Sequence, residues 1–235
     1  MGRELSERYG AFYNTRDPQR VYPVEFVVRA FLGSYPRLTN TPAAYAGERI
    51  LDLGFGDGRN MPLLADLGMR VFGVEISEEI CARTRTRMQR LGVAVELHVG
   101  RNAQLPFDDG FFDQVLACHS CYYVDADGRF SDNVREIGRV LRPGGRLVAS
   151  LPMPTTYVLR GARDLGGGHM EVRNDPYELR NGCILMKFDS QRDIERAFAP
   201  RFEDLRIGSC LHDFWGIEEH IWTVVCRRRT DVQPS

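Results

Sequence analysis

A chain of 235 residues can bury one substantial hydrophobic core, and a second full domain beside it would leave both thin. Hydrophobic residues at 43% and charged residues at 27% exclude a disordered chain, and a formal net charge of -1 removes the long-range attraction that bulk nucleic acid needs, so a small-molecule partner is expected. No run approaches the roughly 20 uninterrupted apolar residues that cross a bilayer, and the opening Met1-Gly2-Arg3-Glu4 has no apolar signal core, which predicts a cytoplasmic protein without a membrane partner.

Residues 1–45 carry Tyr9, Phe12, Tyr13, Tyr22, Phe26, Val27 and Phe31, too few to form a core alone, and are expected to form a helical lid or cap packed onto a main domain of residues 46–235. Arg49 to Leu53 reads as a short buried strand ended by the turn Gly54-Phe55-Gly56-Asp57-Gly58. Leu63, Leu64 and Leu67 then mark a helix with Pro62 in its first turn, and Val71 to Val74 returns to strand, closing a βαβ unit. Ile80, Thr84, Met88 and Leu91 recur at helical spacing behind Ser77 as N-cap, with Arg83, Arg85, Arg87 and Arg90 read as a solvated face.

Val93 to Val99 and Asp113 to Ala117 read as further strands. A helix with Val134, Ile137 and Leu141 as its buried stripe should stop at Pro143-Gly144-Gly145, before a strand from Leu147 to Leu151. Residues 152–189 break the rhythm with prolines, Gly166-Gly167-Gly168 and the turn signal Asn174-Asp175-Pro176, and read as a substrate-side insertion over the sheet's carboxyl edge. A helix at Ile194 and Phe198, strands at Phe202 to Ile207 and Ile221 to Val225, and a loose tail from Thr230 complete the chain. Strands alternating with helices predict an α/β fold with a doubly wound, mostly parallel seven-stranded sheet.

The glycine-rich turn would bring backbone N–H groups and a helix N-terminus to a ligand at the sheet edge, but its Gly-x-Gly-x-Gly spacing is not the dinucleotide pattern. Asp52 precedes it, and Glu75 ends the next strand where a carboxylate can accept bonds from ribose hydroxyls. The stretch Ile50-Leu51-Asp52-Leu53-Gly54-Phe55-Gly56-Asp57-Gly58 resembles the cofactor motif of class I S-adenosylmethionine-dependent methyltransferases. Glu75, the segment Leu105-Pro106-Phe107-Asp108-Asp109-Gly110-Phe111-Phe112-Asp113, and Arg139-Val140-Leu141-Arg142-Pro143-Gly144-Gly145-Arg146-Leu147 extend the resemblance over about residues 48 to 151.

The resemblance implies S-adenosyl-L-methionine as cofactor, with Gly54, Gly56 and Gly58 at its close approach, Asp52 near its charged amino acid portion and Glu75 on the ribose diol. Asn102, with backbone around Ala103, is the expected adenine contact or else a loop cap; Arg101 stands where many relatives carry an aspartate and cannot accept a hydrogen bond. His119, in the polar and aromatic run Cys118-His119-Ser120-Cys121-Tyr122-Tyr123, is expected either to take the acceptor's proton or to pack beneath the cofactor. Cys118-x-x-Cys121 has no second pair for zinc, so no metal is expected and all six cysteines read as reduced thiols.

Tyr9, Tyr13, Tyr122, Tyr123, His169, Asn174, Tyr177, Asn181, His212 and Trp215 are the expected substrate contacts, each with an equally available structural role. The expected reaction is methyl transfer to an oxygen or nitrogen of a small metabolite. Methylation of a peptide or RNA and non-catalytic cofactor binding are the alternatives. A narrow pocket would favour the metabolite, and an open arginine-lined groove would favour RNA. A homo-oligomer is compatible with the sequence.

Overall fold

The computed structural model describes residues 7–12, 20–38, 40 and 42–230. Strands β1 (Arg49–Leu53), β2 (Arg70–Glu75), β3 (Val95–Val99) and β4 (Phe112–Ala117) are followed by the two-residue β5 (Tyr123–Val124) and by β6 (Leu141–Pro152). Short strands β7 (Arg163–Gly166), β8 (His169–Glu171) and β9 (Ile184–Met186) precede the long hairpin of β10 (Phe202–Phe214) and β11 (Ile217–Arg228). The helices are α1 over residues 7–12, α2 (Glu25–Leu32), α3 (Met61–Asp66), α4 (Glu78–Arg90), α5 (Phe130–Val140) and α6 (Gln191–Phe198). Among the described residues no helix is long and apolar enough to cross a membrane.

The main sheet has the order β10-β11-β6-β4-β1-β2-β3, parallel except for β11, which runs antiparallel to both neighbours. Its central strands are apolar on both faces because each face is covered. Leu51, Leu53, Val115, Ala117, Leu147 and Ala149 join Val134 and Ile137 of α5 and Ile194 and Phe198 of α6 in one core. The alternate positions Ile50, Leu116 and Val148 join Phe26 and Phe31 of α2, Met61 and Leu64 of α3, and Ile80 and Met88 of α4 in the other. The chain winds outward from β1 in both directions, so β1 and β4 flank the crevice at whose carboxyl end such sheets bind ligands.

The second residue of α3 is Pro62, and the Ser77 hydroxyl caps α4 by accepting from the Ile80 N–H at 3.3 Å. Leu141 opens β6 instead of closing the preceding helix, and β6 reaches back across Pro143-Gly144-Gly145 by shifting register between Phe112↔Leu141 and Gln114↔Arg146. Gly144, at φ 73°, supplies the left-handed residue that this irregularity requires.

Residues 152–189, expected as a substrate-side insertion with no strands assigned, contribute most of a second sheet of order β5-β9-β8-β7, all antiparallel. Tyr123–Val124, from the loop after β4, forms its edge, so the insertion is fastened to the segment that carries His119 and Tyr122. The N-terminal segment is anchored from below by a buried cation. Arg146 of β6 donates to the Tyr45 hydroxyl at 2.9 Å, the Ala30 carbonyl at 2.8 Å and Asn40 Oδ1 at 3.0 Å, with Phe31 against its guanidinium. These bonds satisfy a charge that burial would otherwise penalise.

Candidate functional site

A cavity of about 450 Å³ opens at the carboxyl edge of β1, β2 and β4 and continues beneath α1 and the insertion. Its first half is built by the turn after β1. Gly54 and Gly56 adopt φ 66° and 56°, the left-handed region where an L side chain is strained, and both line the cavity. Gly58, at φ 73°, does not line it. A Cβ there would come within 2.6 Å of Thr84 Cγ2, so this glycine lets the turn pack on α4. From α4, Thr84 donates to the Gly56 carbonyl at 3.0 Å and Arg87 to the Asp57 carbonyl at 2.8 Å. Arg87 is 4% exposed, so the expected solvated arginine face is in part an internal brace for the turn.

Glu75 faces the cavity from the end of β2, its carboxylate accepting from the Gly56 N–H at 3.1 Å and the Ile76 N–H at 2.7 Å. Burial raises its pKa, and the two N–H bonds hold the rise back. Glu75→Ala is expected to weaken binding of S-adenosylhomocysteine by about 1–3 kcal/mol, through the lost ribose bonds and the loosened turn. Titration calorimetry checks this; unchanged affinity in a folded variant would remove Glu75 from the cofactor half.

Asp52 sits behind the turn, outside the cavity wall, with no hydrogen-bond partner for its buried Oδ2 among the described residues. Burial, reinforced by Asp57 and Glu75, pushes its pKa up to about 8. Because the unfolded carboxyl ionises near its ordinary value of roughly 3.9, the unfolded state holds fewer protons between that value and 8. Stability from this group therefore falls as pH rises through that window, by at most about 1.4 kcal/mol per pH unit. Asp52→Asn should flatten the decline in urea titrations from pH 5 to 8, and an identical slope in the variant would refute the assignment.

Asn102 lines the cavity, but its amide nitrogen already donates to the Ser120 carbonyl at 2.9 Å and the Tyr123 carbonyl at 3.1 Å. Only its Oδ1 remains for an adenine edge, so the loop-capping role is the one its amide nitrogen performs. Ala103 is outside the lining, and Arg101 is paired with Asp125.

Between the two halves stands His119, held at φ 57° with its N–H donating to Ser150 Oγ at 2.8 Å. Its side chain is 28% exposed, and Nε2 lies 3.9 Å from Glu219 Oε1 on β11. Burial lowers its pKa, Glu219 pulls it back up, and Arg180 and Arg59 lower it further, so the ring is neutral at pH 7 and can accept a proton.

The second half of the cavity is walled by rings. Tyr122 and Tyr123 stack with centroids 5.1 Å apart, Tyr157 meets Tyr177 edge-on at 6.2 Å, and Phe12 of α1 meets Tyr177 at 6.4 Å. The Tyr9 and Tyr123 hydroxyls are 3.1 Å apart, which ties α1 to the chamber. Burial raises the pKa of both Tyr122 and Tyr123, keeping them neutral phenols.

The structure thus brings Tyr9, Tyr122, Tyr123 and Tyr177 to one chamber with His119. It does not bring the other expected contacts there. His169 bonds the Gly166 carbonyl, Asn174 is exposed beside Gly161, and Asn181 braces the insertion by accepting from the Asp175 N–H and, through its carbonyl, from Arg8. His212 stacks on Phe214 near the tip of the β10–β11 hairpin, where Trp215 is 98% exposed. That hairpin is longer than expected and carries both residues away from the cavity. Tyr13 lies outside the described residues. Sequence reasoning passed over Glu219, Arg180 and Tyr157, all of which line the cavity. The available signal for Glu219 was an acid in Ile217-Glu218-Glu219-His220-Ile221, just upstream of the expected last strand.

Residues 51–149 match the family described as a methyltransferase domain. The 27-O-demethylrifamycin SV methyltransferase of Amycolatopsis mediterranei is 29% identical over 193 residues, which cover 75% of this chain and 70% of that protein. A probable S-adenosylmethionine-dependent methyltransferase of Mycolicibacterium smegmatis is 34% identical over 112 residues, 48% of this chain and only 41% of that relative's length. Among solved structures, an S-adenosylmethionine-dependent methyltransferase from Methanosarcina mazei superposes with a TM-score of 0.67 at 21% identity, covering 84% of this chain and 99% of that one. At that identity the superposition speaks for the fold.

Proposed function

We propose that the chain, whose residues 51–149 match a methyltransferase domain, is a class I S-adenosylmethionine-dependent methyltransferase that transfers the cofactor's methyl group to an oxygen or nitrogen of a small metabolite. The observation that carries this reading is the continuity of one cavity from the glycine turn and Glu75 to the ring-walled chamber around His119. The relative named for a demethylrifamycin supports a small acceptor. The internal bond of Arg87 weakens the case for an open basic groove on α4.

The residues present fit the cofactor. Two left-handed glycines clear space at the turn, Glu75 turns its carboxylate into the cavity, and the orphaned Asp52 Oδ2 lies behind them where a nearby cation would offset its charge. When bound, S-adenosylmethionine supplies a methyl group already activated on a sulfonium, so the protein's own work is alignment, proton handling and exclusion of water. The rings of the chamber exclude water and orient the acceptor. Nε2 of His119 accepts the acceptor's proton, and Glu219 stabilises the resulting imidazolium.

Incubation with methyl-labelled S-adenosylmethionine and a panel of hydroxylated and aminated metabolites, analysed by mass spectrometry, tests the reading. Label in a small molecule, with none in peptide or RNA controls, is the expected result; label confined to peptide or RNA would overturn it.

A further inference from the structure

The turn Asn174-Asp175-Pro176 is built around its acid. Asp175 is 3% exposed and accepts from the backbone N–H groups of Tyr177 at 3.3 Å, Leu179 at 3.1 Å and Arg180 at 2.9 Å. The same carboxylate meets Arg180 Nη1 at 3.2 Å, while Nε of Arg180 donates to the Tyr123 hydroxyl at 3.1 Å. Those two bonds fix the plane of the guanidinium. Its Nη2 has no hydrogen-bond partner among the described residues, although the side chain is only 22% exposed and lines the cavity.

A guanidinium held in this way presents a rigid fork of donors, and its best-matched partner is an anionic oxygen. Asp175 does not saturate it, because that carboxylate shares its charge among three backbone dipoles as well. Other charges at the cavity have partners within the chain: Arg59 bonds Asp57, Arg101 bonds Asp125, and Glu219 faces His119. Around Arg180 stand Tyr9, Phe12, Tyr122, Tyr123, Tyr157 and Tyr177, whose ring faces and edges suit a flat apolar body.

We propose that the acceptor is a planar aromatic molecule bearing an anionic oxygen, and that Arg180 is the specificity-determining residue that holds this oxygen while His119 faces the group to be methylated. The proposal rests on the small-molecule methyltransferase reading of the same cavity and narrows its acceptor class. Tyr123 and Tyr9 extend the device: their hydroxyls link the guanidinium to α1, so Arg180, Tyr123 and Tyr9 form one hydrogen-bonded wall of the cavity.

The test uses the full chain saturated with S-adenosylhomocysteine, titrated calorimetrically with 1-hydroxy-2-naphthoate and with its uncharged amide, 1-hydroxy-2-naphthamide. The wild type should bind the naphthoate about tenfold or more tightly than the amide. Arg180→Gln should erase that preference without changing affinity for S-adenosylhomocysteine. Arg180→Lys, which keeps a cation opposite Asp175, should retain part of the preference and serves where the glutamine variant does not fold. Equal affinity of the two probes for the wild type, failure of both to bind, or a preference that survives in a folded Arg180→Gln protein would each overturn the inference. Absence of S-adenosylhomocysteine binding by the wild type would instead strike the methyltransferase reading itself.

Discussion

Replacing His119 with asparagine should lower the single-turnover rate of methyl transfer by about 10²- to 10⁴-fold at saturating cofactor, the range that a positioned general base contributes. Asparagine is the informative substitution because His119 sits at φ 57°, a left-handed conformation that asparagine tolerates better than alanine. The backbone bond to Ser150 Oγ therefore survives, and only the proton acceptor is lost. Affinity for S-adenosylhomocysteine should hardly move. The pH dependence carries a second signature. With its pKa below the ordinary imidazole value, the ring loses its proton on the acid side of neutrality, so the wild-type rate should rise with pH there and level off near pH 7. Glu219 raises that pKa, so Glu219→Gln should move the rising limb to lower pH while lowering the plateau, because the imidazolium formed during transfer loses its partner. Weakened cofactor binding with an unchanged chemical step in His119→Asn would assign the ring to packing beneath the cofactor. A rate and pH profile matching wild type would rule out the base.

The parts of this arrangement that were legible in the sequence are the local ones. β1, β2 and β4 are buried on both faces and appear as short apolar runs, and the turn after β1 announces itself through three glycines whose left-handed conformations few other residues adopt. Glu75 was legible because its place, at the end of the strand after a glycine turn, is set by the βαβ unit. The chamber was much less so. Arg180 is one arginine in a chain where Lys187 is the only lysine, and nothing local separates it from its neighbours. Its significance comes from the backbone N–H groups that gather on Asp175 and from Tyr123, 57 positions away. Glu219 reaches His119 only because β11 enters the sheet antiparallel beside β6, a pairing made 70 or so residues downstream. The small sheet escaped notice because its strands are two to four residues long, below the length at which alternation can be read. His212 and Trp215 drew attention through residue type and their place outside the cofactor motifs, and the hairpin that carries them ends in an exposed turn.

The turn after β1 and the loop that carries His119 are in direct contact, so a side chain at Gly54 would disturb both. A Cβ on Gly54 would lie 2.5 Å from Ser120 Cβ, the residue next to His119, and the φ of 66° would strain any side chain placed there. The conformational penalty alone is on the order of 1–3 kcal/mol, and the collision forces either the turn or the His119 loop to move. Gly54→Val, which adds two further methyl groups, should therefore reduce affinity for S-adenosylhomocysteine by about 100-fold or more, a loss of roughly 2.7 kcal/mol, with His119-dependent transfer falling alongside. Gly54→Ala should do less, and Ser120→Gly should restore part of what Gly54→Ala loses, because it removes the atom that the new Cβ strikes. Two residues in contact are expected to couple by about 0.5–3 kcal/mol in such a double-mutant cycle. Additive losses, with no recovery in the Gly54→Ala/Ser120→Gly protein, would show that strain at the turn acts without the contact. Wild-type affinity in a folded Gly54→Val protein would place the cofactor somewhere other than against this turn.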